Sequence, residues 1–232
     1  MSTEQPPRVL RRGLATGRLE ALSDGVYAIA LTLLVLDIAL PSGASRHLLH
    51  SVAHLWPAYL AYVVSFSTIG ASWLGHSVIT EYLDRADPSF VRLNLLLLLF
   101  VAFLPFPTRL FADFIGKTSP ERVAATFYGV SLALSTVLLW VLWRYAVRRN
   151  LIRADTGDEE AELLTQRLTP GLGGYLVLII AGLFVPVIAV IGYLGIALFY
   201  IFPFRRLGRI NLFRSGRRPA RRGRPDQHEE SS

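Results

Sequence analysis

Polar and charged side chains crowd the start of the first long apolar stretch of this sequence, where Arg18, Glu20, Ser23 and Asp24 precede Gly25-Val26-Tyr27-Ala28-Ile29. A carboxylate or hydroxyl so close to a bilayer-spanning run is costly and faces protein or water, so Ser23 and Asp24 need partners. The same residues also suit an ordinary helix start, with Ser23 or Asp24 as cap and Arg18 among the lipid headgroups. Trp73 and His76 stand at i and i+3 and share one helical face, where an interfacial anchor and a headgroup-level imidazole are the simplest roles. Asn94 can cap a helix or bond between helices. His47, His50 and His54 are spaced so that two can meet on one face, but converging ligands and nearby carboxylates are missing. No metal or cofactor is therefore expected, and pH sensing suits those histidines better. Nothing in the set resembles an enzyme site.

The elements that must position these residues are membrane helices. The chain has 232 residues, of which 52% are hydrophobic and 18% charged, with mean hydropathy +0.42; that is too apolar for an ordinary soluble domain. A bilayer core needs about 20 apolar residues per helix. Continuous runs such as Leu95 to Leu99 lack the alternation of barrel strands, so an all-α bundle is expected. About six spans follow, at about 19–40, 54–78, 90–112, 121–147, 172–187 and 189–205. Pro105 and Pro107 end or kink the third, and Pro186 with Gly192 divides the last apolar block.

Charge placement orients the bundle. Arginines cluster at Arg8, Arg11, Arg12 and Arg18, at Arg85 and Arg92, from Arg144 to Arg153, and throughout the tail, while Arg46, Arg109, Lys117 and Arg122 fall on the other side. The positive-inside rule then places both termini in the cytoplasm and favours an even number of spans. The expected organisation is a basic cytoplasmic segment 1–18, a transmembrane domain 19–206 and a basic disordered tail 207–232. The net charge of +7 reflects orientation and attraction to anionic lipid, and no motif for nucleic acid accompanies it.

Arg18, Ser23 and Asp24 resemble the Arg-x-x-x-Phe-Ser-Asp signature of the transmembrane protein 175 family of potassium channels, with Leu22 in place of Phe. The similarity continues through Gly25 to Ile29, Thr32, Val35 to Ile38 (with Asp37 where the family usually has Glu), Trp73, His76, Asn94 and Pro105 to Thr108. It is specific in the first half of the chain and rests on hydropathy in the second. The resemblance implies a prokaryotic, single-repeat channel of the cell membrane. Arg18, Ser23, Asp24, Trp73 and His76 would brace helix 1 by hydrogen bonds, with Asn94 beside them.

On a helix advancing about 100° per residue, Leu22, Gly25, Ile29, Leu33 and Leu36 form one stripe, while Ser23, Asp24 and Tyr27 point elsewhere. Helix 1 is apolar all round between Val26 and Leu36, so periodicity leaves packing, lipid and pore open as the role of that stripe. The resemblance implies that helix 1 lines a central pore, with Ile29, Leu33 and Leu36 as hydrophobic constriction rings and Thr32 as the selectivity candidate. One such unit cannot enclose a pore, so a homo-oligomer, in particular a homotetramer, is expected. The competing expectations are a proton-coupled or other secondary transporter and a non-conducting membrane scaffold.

Overall fold

The computed structural model describes residues 16–40, 48–116, 118–153, 162, 165 and 170–211. Arg8, Arg11, Arg12, Arg46, His47, Lys117 and the chain beyond Asn211 lie outside them. The elements are α1 (Thr16–Leu33), a 3-10 turn (Leu34–Asp37), α2 (Leu48–His54), α3 (Trp56–Tyr82), α4 (Pro88–Phe103), α5 (Pro105–Phe114), α6 (Thr118–Arg148), α7 (Pro170–Gly182) and α8 (Pro186–Asn211). Among the described residues there is no strand, and Leu83 and Ile152 form an isolated antiparallel bridge.

Among the described residues three segments, Thr16–Asp37, Pro88–Phe114 and Pro120–Arg148, are long and apolar enough to cross a bilayer, and a fourth follows if α2 and α3, bent by 44°, form one span. Large apolar side chains are exposed on α1, α4, α7 and α8, as a lipid-facing surface requires. The chain is therefore an all-helical membrane protein.

The prolines mostly start helices. Pro105 and Pro186 each occupy the first turn, where the missing N–H breaks no bond. This moves the division of the last apolar block. It falls at Leu183-Phe184-Val185, ahead of Pro186, and Gly192 lies inside α8, where a Cβ would meet the Leu178 side chain. The third expected helix is interrupted at Leu104, because Pro105 cannot donate to the preceding turn.

The helix α3 is central and packs against α1, α5, α6 and α8, whereas α1 packs chiefly on α3 and α4. Ser65 joins three helices: it lies 2.6 Å from the Tyr128 hydroxyl and 2.7 Å from that of Thr108, which itself donates to the Leu104 carbonyl. At the end near Tyr82, Asp87 caps α4 by accepting from Phe90 N–H at 2.7 Å and accepts the Tyr145 hydroxyl at 2.8 Å. Asn150 adopts φ 51° as α6 ends, and Arg153 N–H then donates to the Tyr82 carbonyl at 3.0 Å, locking α6 to the end of α3.

Candidate functional site

The helix α1 buries a stripe of Leu19, Ser23, Tyr27, Ala30 and Leu34. Their spacing of three and four residues is that of one helical face. Two of the five carry hydroxyls, and each finds a partner. His76 Nε2–H donates to Asn94 Oδ1 at 2.7 Å, Asn94 Nδ2–H to Ser23 Oγ at 3.0 Å, and the Ser23 hydroxyl to the Leu19 carbonyl at 2.9 Å. That order follows from the Asn94 amide, whose oxygen can only accept and whose nitrogen can only donate. One turn along, the Tyr27 hydroxyl shares a 2.9 Å hydrogen bond with Ser72, and its ring lies 5.6 Å from that of His76. His76 is fully buried and its Nδ1 makes no hydrogen bond among the described residues.

On the flank of this stripe, Asp24 accepts the Trp73 indole N–H at 2.9 Å. The structure thus brings Ser23, His76 and Asn94 into one buried chain and pairs Asp24 with Trp73 beside it. Arg18 is not brought in: it is exposed and makes no hydrogen bond or ion pair with the described residues. Tyr27 and Ser72 are additions that sequence reasoning missed. Their signal is register, since Tyr27 follows Ser23 by four residues and Ser72 precedes His76 by four.

The opposite side of α1 has no packing partner among the described residues. Ile29 is 60% exposed, Leu33 42% and Leu36 70%, and Gly25 has open space above it. The Thr32 hydroxyl is exposed and donates to the Ile29 carbonyl at 2.9 Å, which leaves its oxygen lone pairs outward. The 3-10 turn also alters the register. At about 120° per residue, positions i and i+3 eclipse, so Leu36 moves back toward the line of Leu33 instead of lagging by the α-helical 60° or so. Beyond it Asp37 lies 4.0 Å from Arg109, which in turn lies 3.8 Å from Asp113. The arrangement holds α1 by its polar face and leaves the other, largely apolar face uncovered by the described residues.

Comparison with known proteins gives this arrangement a relationship. Residues 18–105 match the family described as endosomal/lysosomal potassium channel TMEM175, a segment that contains the whole buried chain and the Asp24–Trp73 pair. A potassium channel of Chamaesiphon minutus is 39% identical over 166 residues, 70% of this chain and 81% of that protein. One of Streptomyces collinus is 38% identical over 162 residues, 69% of this chain and 79% of that protein. The crystal structure of a lysosomal potassium-selective channel TMEM175 homolog from Chamaesiphon minutus superimposes with TM-score 0.74 at 34% identity, covering 82% of this chain and 97% of that one. With the brace inside the matched segment and about four-fifths of two relatives covered, the chain belongs to the TMEM175 family.

Proposed function

We propose that the chain is one subunit of a potassium-selective channel that conducts K+ passively. The observation that carries this is the division of α1, fastened to α3 and α4 by buried polar groups while Ile29, Leu33 and Leu36 stay exposed. Two relatives covered to about four-fifths of their length are named potassium channels, which supports the same conclusion. A single stripe cannot enclose a path, so several copies must gather around it, and a homotetramer places four α1 helices at the centre. In that assembly the three apolar residues form constrictions that exclude water when narrow and admit a hydrated cation after a small outward movement of α1. Thr32 supplies the polar ring beside them and is the residue assigned to selectivity. The brace of Ser23, Asn94 and His76 with Asp24 and Trp73 sets how far α1 can move.

Six spans, with α7 and α8 as the last two, place both basic termini at the cytoplasmic face of the cell membrane, where anionic lipid attracts the arginines. The apolar part of α8, Pro186–Ile201, reaches about 24 Å and the 13 residues of α7 about 20 Å, so in this reading the two cross as short spans where the bilayer thins around them. The test is ion flux into liposomes carrying the purified chain. A channel gives unitary currents and K+ uptake exceeding Na+ uptake. Flux coupled to protons at a fixed ratio indicates a carrier, and no flux indicates a scaffold; either result overturns the proposal.

A further inference from the structure

The short helix α2 carries two histidines one turn apart at its end. His50 and His54 are exposed, their ring centroids are 4.2 Å apart, and their Nε2 atoms approach to 3.0 Å. Two metal–nitrogen bonds of about 2.0–2.1 Å span about 2.9 Å when they meet at a right angle and about 3.4 Å at the tetrahedral angle. The observed gap lies between these limits. We propose that His50 and His54 form a chelating site for a divalent first-row transition metal ion, with a bite closest to that of Cu2+ or Ni2+ and open to Zn2+.

Without metal, the gap is bridged by one imidazole donating Nε2–H to the lone pair of the other. Metal binding needs both Nε2 lone pairs at once, so the donor ring changes tautomer to carry its proton on Nδ1. Acid competes, because a protonated imidazole has no lone pair to offer. No cluster of three or more histidine, cysteine, aspartate or glutamate side chains exists among the described residues, so water completes the coordination and the ion exchanges freely. It is a ligand and not a resident cofactor. The spacing lets two histidines meet on one face; a metal is not expected from it because further ligands are missing from the sequence nearby, and the approach of the two rings is invisible there. Chelation across i and i+4 staples the last turn of α2, and His54 stands two residues before Trp56, where α3 begins after the 44° bend. The ion therefore stiffens the end of α2 that leads into the joint, whether or not the chain conducts.

The test uses the full-length chain, purified without a histidine tag in detergent micelles and titrated calorimetrically with Ni2+. One saturable site per chain is expected, weakened about tenfold or more in His50→Ala and equally in His54→Ala, and weakened by acid. Both residues are exposed, so the variants keep the fold. Electron paramagnetic resonance of bound Cu2+ gives a second readout, with two coupled nitrogens in the parent and one in each variant. Binding that survives both substitutions, or a Cu2+ signal with a single nitrogen in the parent, overturns the proposal.

Discussion

Along α1, the face that carries Ser23 and Tyr27 and the face that carries Ile29 and Leu33 are composed in the reverse of a soluble amphipathic helix. In water the polar groups would face outward and the apolar stripe would be buried. Here the hydroxyls are fully or almost fully buried and bonded to α3 and α4, while the leucine and isoleucine side chains are exposed. The cause is the solvent. Hydrocarbon exerts no hydrophobic force between helices, so small residues and interhelical hydrogen bonds hold them together, and apolar side chains are free to face lipid or a constricted pore. The polar face therefore reports what fastens the helix, and the apolar face reports where function can lie.

The two faces should respond differently to substitution, and the largest difference is expected at Asn94. Asn94→Ala removes the partner of both His76 and Ser23, at a cost of about 1–3 kcal/mol for a buried group left unpaired. Ile29→Ala should change stability by no more than about 0.5 kcal/mol. Equal shifts in thermal midpoint in detergent would mean that the faces are equivalent. Tyr27→Phe is expected to cost about 0.5–1.5 kcal/mol, and the double variant with Ser72→Ala should recover part of it because both partners are then apolar. A double variant no more stable than the additive sum would show that the hydroxyl pair is not a unit. Trp73→Phe loses only a half-exposed hydrogen bond to Asp24 and should cost about 0.5 kcal/mol or less, a decrement absent in an Asp24→Asn background if the pair is isolated.

The smallest effect lies away from α1, at Asp87. Burial opposes ionisation of this carboxyl, but N–H groups of Phe90 and Ser89, the Tyr145 hydroxyl and the Arg149 charge outweigh it and hold its pKa below the ordinary 3.8. A depressed folded value means that the contribution is complete above pH 3.8 and disappears as pH falls through the lowered value. Acid unfolding of Asp87→Asn should lack this final loss. An identical acid limb in both proteins would remove the assignment.

The features legible in the sequence were those governed by local chemistry. Clustered apolar runs announce membrane helices, and Ser23 and Asp24 at the start of one of them announce a need for partners. What stayed hidden depends on three-dimensional register. Tyr27 reads as one more aromatic residue until Ser72 is seen beside it, and Arg18 stays outside the hydrogen-bonded cluster although its spacing matches the motif. The division between α7 and α8 was misplaced because Pro186 starts a helix as readily as it breaks one. At seven residues, α2 is too short for periodicity to detect. The 3-10 turn that realigns Leu36 is hard to read in composition, since Leu34, Val35 and Leu36 are as apolar as the residues before them and Asp37 alone departs.

The central claim, that the exposed face of α1 lines the conduction path, is tested most directly by cysteine accessibility in the conducting protein, because the native chain contains no cysteine. Single variants Ile29→Cys, Leu33→Cys and Leu36→Cys are compared with Ala30→Cys, which lies on the buried stripe. A water-soluble thiol reagent should block K+ current at positions 29, 33 and 36 and leave position 30 unaffected. Block at position 30 with none at 29 or 33, or equal insensitivity at all four, would place the path on another helix and contradict the account.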